Sequence, residues 1–239
     1  MEYARICEKS CKLFGEEISK MNEKKFCFIL CVNNERYAEE AVFYLNRLNV
    51  PHGFEIEVCT VWEADSMTAG YNEGMSNSDA KYKIYMHQDV FIINPDFLYE
   101  LLSIFEDEKI GMLGIVGSPK LPQSGVMWFG ERVGKLISNN GYYSENVVLT
   151  EINEEYVEVE AVDGLLMATQ YDIPWRADVF KKWDFYDVSQ CMEFRNAGYK
   201  IVVPRMEKPW IIHDNGMLNL TSYYEERKKF VDEYINAEN

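Results

Sequence analysis

The sequence has few basic residues and no long hydrophobic run. Lys and Arg number 24 against 40 Asp and Glu, which gives the 239-residue chain a formal net charge of −16. Nucleic acids and anionic membranes bind basic surfaces, so this charge disfavours both as partners. The longest apolar run, residues 26–32, is far too short to span a bilayer, and residues 1–20 lack the hydrophobic core of a signal peptide. We therefore expect a cytoplasmic protein without a transmembrane segment.

The cysteine hooks that are typical of a zinc site are also missing. Cys7 and Cys11 are four residues apart, as are Cys27 and Cys31, whereas zinc sites use Cys-x2-Cys hooks and a second distant pair. Cys27, Cys31 and Cys59 lie inside apolar, strand-like runs, where a reduced cysteine acts as a small hydrophobic residue. We predict structural thiols and no disulfide framework.

Strand-like and helix-like segments alternate along the chain. The apolar runs that predict strands are residues 25–32, 54–62 and 83–93, and the segments that predict helices are residues 37–48, 66–75 and 94–106. This alternation favours an α/β fold with a mainly parallel sheet. We predict one domain over residues 1–239, which consists of an N-terminal helical extension (1–24), a core (25–215) and a C-terminal helix (216–239).

Polar side chains follow three successive predicted strands. They are Asn33, Asn34 and Glu35 after the first strand, Glu63 and Asp65 after the second, and His87, Gln88 and Asp89 within the third apolar run. In parallel α/β sheets, ligands bind outside the carboxyl ends of the strands. The third cluster therefore indicates a metal or phosphate site. The alternative is that Asp89 caps a turn and His87 is a neutral core histidine.

Glycines indicate close packing in one helix, but they form no dinucleotide-binding motif. Residues 70–74 carry two glycines inside the helix that Ser66 is expected to cap, which suggests the close approach of another backbone or a ligand. Gly111, Gly114 and Gly117 do not match the Gly-x-Gly-x-x-Gly fingerprint. Residues 118–155 follow no regular pattern, and we interpret them as an excursion on the active-site side.

Several motifs, taken in order, resemble glycosyltransferase family 2, and most closely its small branch named after a streptomycin-biosynthesis protein. The matching stretches are residues 28–34, 70–72, 87–90, 111–118, 162–164, 183–187 and 198–200. The resemblance implies the GT-A fold, an α/β/α sandwich of the nucleotide-diphospho-sugar transferase type with a mainly parallel central sheet.

The resemblance also implies a donor site at the ends of the first strands. The residues expected to bind the nucleotide-sugar donor are Asn33, Asn34, Glu35, Glu63, Asp65, Asn72, His87, Gln88, Asp163 and Gly164. Asp89 stands at the second carboxylate of the family's Asp-x-Asp motif and would bind Mn²⁺ or Mg²⁺, and His213 would add a metal or phosphate contact. Such a cation suits carboxylate and phosphate oxygens and neutralises charge on the leaving diphosphate.

Catalysis in the family inverts the anomeric configuration and needs one general base, which deprotonates the acceptor hydroxyl. Asp187 occupies the matching position before a helix, and Asp184 is the second candidate. Asp187 could instead serve only as a helix cap. Trp128 would stack on a sugar at the acceptor side, and its alternative role is core or lid packing.

The expected function is that of a metal-dependent inverting glycosyltransferase, which moves a sugar from a nucleotide-sugar donor to a carbohydrate or other hydroxyl-bearing acceptor. Two departures from the family pattern leave alternatives open: Glu63-Ala64-Asp65 replaces consecutive aspartates, and His87 replaces the first aspartate of Asp-x-Asp. One alternative is a nucleotide-sugar-binding module with impaired catalysis. The other is a sugar nucleotidyltransferase, which would carry a glycine-rich loop and a basic residue after the first strand.

Overall fold

The computed structural model describes residues 5–6, 21–214 and 220–237. In chain order, the first elements are β1 (Arg5–Ile6), β2 (Asn22–Val32), α1 (Glu35–Leu45), β3 (Glu55–Trp62), α2 (Met67–Ser76), β4 (Ala80–Met86), β5 (Val90–Ile92), α3 (Phe97–Ile104), β6 (Ile110–Gly114) and β7 (Val116–Ser118). A 3₁₀ turn (Met127–Phe129) precedes β8 (Val133–Asn139), β9 (Ser144–Val148), β10 (Tyr156–Val159), β11 (Ala161–Val162), β12 (Leu166–Thr169), α4 (Tyr186–Asn196), β13 (Lys200–Pro204), β14 (Ile211–Asp214) and α5 (Tyr223–Phe230), which continues as a π-helical turn (Val231–Ile235).

Two sheets organise the described residues. The larger has the strand order β1-β3-β2-β4-β12-β6-β13-β10, and the smaller has the order β11-β7-β8-β14-β5 with β9 added to β8. In the larger sheet, β1, β3, β2 and β4 run parallel and β13 runs parallel to β6, whereas β12 pairs antiparallel between β4 and β6. The predicted α/β architecture with a mainly parallel sheet is therefore confirmed.

The position of β2 at the centre of the parallel strands follows from its sequence. Its residues from Phe26 to Val32 are buried, as expected for a strand that is covered on both faces. The register pairs Val32 with Trp62 of β3 and Ile29 with Tyr85 of β4. The three strands consequently end at the same edge of the sheet, where the polar clusters begin.

Helix α2 packs so closely on β2 that two of its residues have no room for a side chain. Ser66 caps the helix by accepting a hydrogen bond from the Ala69 amide, as predicted. A Cβ at Gly70 would overlap the Cys31 sulfur, and a Cβ at Gly74 would overlap the Ile29 side chain. These glycines thus serve helix–sheet packing, with side chains of β2, rather than another backbone or a ligand, in close approach.

Several secondary-structure predictions were wrong. The predicted N-terminal helix over residues 1–24 is contradicted at Arg5–Ile6, which form β1, and at residues 22–24, which begin β2; residues 1–4 and 7–20 lie outside the described residues. His213 was expected in a polar turn but lies in β14, because pairing with β5 and β8 extends this strand through its polar end. The irregular stretch 118–155 contains the β8–β9 hairpin.

The predicted C-terminal helix is present as α5 and its π-helical turn, and the remainder of residues 216–239 falls partly outside the described ranges. Among residues 21–214 and 220–237, no helix has both the length and the apolar character needed to cross a bilayer.

Candidate metal centre and active site

His87, Asp89 and His213 converge where the two sheets meet. His87 follows β4 of the larger sheet, Asp89 precedes β5 of the smaller one, and His213 lies in β14. Strand β14 pairs with β5 so that His213 is opposite Val90, and the Asp214 amide donates to the Asp89 carbonyl at 2.9 Å. One ligand atom from each of the three side chains lies within 4.8 Å of the others.

The donor set of this cluster fits a divalent cation. His87 Nδ1 lies 3.9 Å and His213 Nε2 3.7 Å from the same oxygen, Asp89 Oδ1, so the three atoms face one another without close hydrogen bonds. All three side chains are partly buried. Imidazole nitrogens suit transition metals and carboxylates suit harder cations, which makes the mixed set a better match for Mn²⁺ than for Mg²⁺.

The protonation state of His87 favours metal binding at neutral pH. Burial, together with the nearby His213, lowers the pKa of His87 to about 4, so its imidazole is neutral at pH 7 and has a lone pair to donate. Burial raises the pKa of Asp89, and the neighbouring His213 opposes that rise.

Gln88 joins the end of β4 to the end of β2. Its Oε1 accepts hydrogen bonds from the amides of Asn33 (3.1 Å) and Asn34 (3.0 Å), and its Nε2 donates to Asn33 Oδ1 at 2.7 Å. The Asn34 side chain also caps α1 by accepting from the Arg36 amide. Two of the three predicted polar clusters are therefore brought together, with Glu35 exposed at the start of α1.

Asp187 lies in the first turn of α4, close to the loop that joins β11 and β12. Its Oδ2 accepts from the Gly164 amide at 3.1 Å and its Oδ1 from the Val188 amide at 2.8 Å. Burial raises the pKa of Asp187 to about 7, and the negative charge of Asp163 adds to the rise. Asp163 itself accepts hydrogen bonds from Trp128 Nε1 and from the Leu165 amide, both at 3.0 Å. The structure thus places Asp163, Gly164, Asp187 and Trp128 together.

Other predicted site residues make structural contacts or face solvent. Asn72 exchanges two hydrogen bonds with the Trp175 backbone, at 2.8 and 2.9 Å, which link α2 to the segment before α4. Asp184 accepts from Ser222 Oγ at 2.6 Å, which ties this carboxylate to the start of α5. Glu63 and Asp65 are exposed after β3, and Glu63 has a left-handed backbone with a φ of 52°.

Residues that sequence reasoning did not single out also surround the cluster. The Tyr186 hydroxyl forms a hydrogen bond with His87 Nε2. Asp214 accepts hydrogen bonds from Tyr37 Oη at 3.1 Å and from the Asn139 side chain. Tyr186 stands inside the 183–187 motif and Asp214 next to His213, so their neighbours along the chain were the available signal.

The fold is that of GT-A glycosyltransferases. The structure is similar to Staphylococcus aureus TarS 1–349 in complex with UDP (TM-score 0.56, 14% identity, 84% of this chain and 63% of that one). It is also similar to GalNAc-T7 with UDP, GalNAc and Mn²⁺ (TM-score 0.55, 11% identity, 82% and 44%). A third similar structure is the Pyrobaculum calidifontis mannosyltransferase PcManGT with GDP-Man and Mn²⁺ (TM-score 0.52, 11% identity, 89% and 64%).

The chain belongs to the family described as "Glycosyltransferase like family", which matches residues 27–234. Among curated proteins, it is 25% identical over 167 residues to the streptomycin biosynthesis protein StrF of Streptomyces griseus. That alignment covers 66% of this chain and 56% of StrF, so the chain spans little more than half of this relative. The family expected from the motifs is confirmed.

Proposed function

We propose that this protein is a metal-dependent, inverting glycosyltransferase that moves a sugar from a nucleotide-sugar donor to an acceptor hydroxyl. The observation that carries the proposal is the convergence of His87, Asp89 and His213 at the edge of a GT-A sheet. Asp187 supplies a separate carboxylate beside the loop that joins β11 and β12. The similar structures are complexes with UDP or GDP-Man, and two of them also contain Mn²⁺.

His87, Asp89 and His213 would hold the cation. When bound, the cation would neutralise negative charge on the donor diphosphate. An overall charge of −16 makes such neutralisation more important for an anionic donor. Asn33 and Asn34 stand beside the cluster through their contacts with Gln88 and would contact the nucleoside. We assign the same donor role to Glu35, Glu63 and Asp65, which are exposed near this edge.

Asp187 would accept the proton of the acceptor hydroxyl during attack on the anomeric carbon. A general base works best when its pKa lies near the working pH, and burial brings the pKa of Asp187 to about 7. The Gly164 and Val188 amides orient the carboxylate. Trp128 is 43% exposed beside Asp163, where it offers an apolar surface to a sugar.

Calorimetric titration of UDP and GDP, with and without Mn²⁺, tests the donor and metal site. Binding of one nucleotide is expected to require Mn²⁺ and to weaken by more than about 100-fold in Asp89→Ala, since loss of even an indirect partner of a metal ligand costs about 10- to 100-fold. Glu39→Ala removes one exposed carboxylate from α1 and should bind like the wild type. Wild-type protein that binds neither nucleotide with Mn²⁺ present would contradict the proposed function, and unchanged binding by Asp89→Ala would remove the metal from this cluster.

A further inference from the structure

We infer that Tyr186 is a positioning residue of the metal centre: its hydroxyl fixes the His87 ring so that Nδ1 faces Asp89 and His213. The inference rests on the proposed metal site and adds a residue to it. Tyr186 is not one of the three proposed metal ligands. It would act on the metal site only through its hydrogen bond to His87 Nε2.

The two nitrogens of His87 have different surroundings. Nε2 is bonded to the Tyr186 hydroxyl, whereas Nδ1 is the nitrogen that lies 3.9 Å from Asp89 Oδ1. A metal ligand nitrogen must carry a lone pair, so the single ring proton of neutral His87 must then be on Nε2. Nε2–H donates to the phenolic oxygen in that state. Tyr186 therefore fixes the ring orientation, and its oxygen accepts the Nε2 proton of the tautomer that the metal site requires.

Aromatic packing holds the Tyr186 ring in place. The side chain is 4% exposed, and its centroid lies 5.9 Å from Tyr71 in an edge-on contact and 6.1 Å from Trp175. Tyr71 in turn packs against Trp175 and Tyr85, at 4.8 and 5.0 Å. Since a packed, buried ring has few other rotamers, the hydroxyl is delivered to one fixed position.

Gly164 leaves the space that the Tyr186 hydroxyl occupies. A Cβ built at Gly164 would overlap the hydroxyl and the ring carbon that bears it. The backbone of Gly164 is not among those with a positive φ, so the glycine serves space rather than conformation. The contact between Tyr186 and His87 therefore also explains why position 164 is a glycine: a side chain there would displace the Tyr186 hydroxyl.

The first turn of α4 consequently contributes both to the metal cluster and to the proposed catalytic base. Tyr186 reaches the metal cluster, and the next residue, Asp187, is the proposed base. The preceding Phe185 adopts a left-handed conformation with a φ of 59°, which turns the chain into α4. Backbone strain of this kind persists where the surrounding packing enforces it, and Phe185 packs on Tyr223 and Phe230.

The test is the Mn²⁺ affinity of Tyr186→Phe, measured by calorimetry with Mn²⁺ alone and by the electron paramagnetic resonance signal of free Mn²⁺. Affinity is expected to fall by about 10- to 100-fold, the usual effect of removing a partner of a ligating histidine. Tyr71→Phe is the matched control, because it deletes a buried hydroxyl that has no hydrogen-bond partner within the described part of the chain. It should leave Mn²⁺ affinity unchanged.

Gly164→Ala provides a second arm, because it displaces the same hydroxyl without changing the phenol. Gly164→Ala should also weaken Mn²⁺ binding. Because both substitutions act through one contact, the Mn²⁺ affinity of the double variant Gly164→Ala, Tyr186→Phe should equal that of the single variant with the lower affinity. Thermal unfolding of each variant separates a loss of fold from a loss of affinity. Equal Mn²⁺ affinity in wild type and folded Tyr186→Phe overturns this inference alone, whereas wild-type protein without Mn²⁺ affinity overturns the proposed metal site as well.

Discussion

Replacement of Asp187 by Asn is expected to lower kcat by about 10²- to 10⁴-fold, the usual contribution of a general base, while donor affinity is retained. The amide cannot take the acceptor proton. Asp184→Asn is the matched control, since Asp184 is also a carboxylate near the start of α4 but is bonded to Ser222. We expect the control to retain most of the turnover. Initial rates at saturating donor, together with calorimetry of the nucleotide, separate the two effects.

The pH dependence of turnover should also report the ionisation of Asp187. Because burial raises the pKa of Asp187 to about 7, the base is ionised above this pH and protonated below it. Turnover should therefore rise with pH up to about 7 and fall by about tenfold per unit on the acid side. The acid limb should be absent from any residual activity of Asp187→Asn.

Three results would redirect the assignment. If Asp184→Asn abolishes turnover and Asp187→Asn does not, the base is Asp184. If the wild type binds a nucleotide-sugar but transfers its sugar to no acceptor tested, a binding module with impaired catalysis describes the protein better. Formation of a nucleotide-sugar from a sugar phosphate and a nucleoside triphosphate would instead indicate a nucleotidyltransferase.

Asp172→Ala is expected to destabilise the fold by about 3 kcal/mol, because it leaves a buried cation without its counter-ion. Lys83 in the centre of β4 is 0% exposed, and its Nζ donates to Asp172 Oδ2 at 2.8 Å and to the Ala80 carbonyl at 2.7 Å. Lys83→Met removes the charge at similar length and should change the free energy of unfolding by much less. Urea denaturation at pH 7 measures both variants.

A second ion pair and a double variant serve as controls for the Asp172→Ala measurement. Lys200 and Asp107 form an ion pair of 3.3 Å in which both side chains are about one-third exposed, so Asp107→Ala should cost less than about 1 kcal/mol. The double variant Lys83→Met, Asp172→Ala should recover most of the stability that Asp172→Ala loses. An Asp172→Ala protein as stable as the wild type would show that the Ala80 carbonyl alone satisfies the lysine.

The sequence predicted correctly those helices and strands whose hydrophobic pattern or cap lies within the element itself. Strand β2 is apolar throughout and is central, and the Ser66 cap places the start of α2 correctly, because in both cases the cause lies within a few residues. The β8–β9 hairpin was missed because β9 is mostly exposed and polar, which leaves no alternation to detect. His213 was expected in a turn because pairing with β5 and β8 involves residues distant in sequence.

The site was predictable as a set of residue types but not as an arrangement. Asp89 and His213 were expected to bind the metal and His87 to bind the donor, and the structure brings the three side chains together. The role of Tyr186 depends on a hydroxyl of α4 that meets the His87 ring after β4, and on the space at Gly164. Both contacts join residues that are distant in sequence, so no spacing along the chain encodes them.

The placement of the metal cluster at the junction of the two sheets has a thermodynamic consequence. A cation held by His87 from the larger sheet and by Asp89 and His213 at the smaller one would act as a cross-link between them. A ligand that binds only the folded state adds to stability by mass action, by about 2.7 kcal/mol at a concentration 100 times its Kd. Starvation for the cation would then lower the folded population as well as the catalytic rate, so the abundance of the protein would follow the supply of the ion.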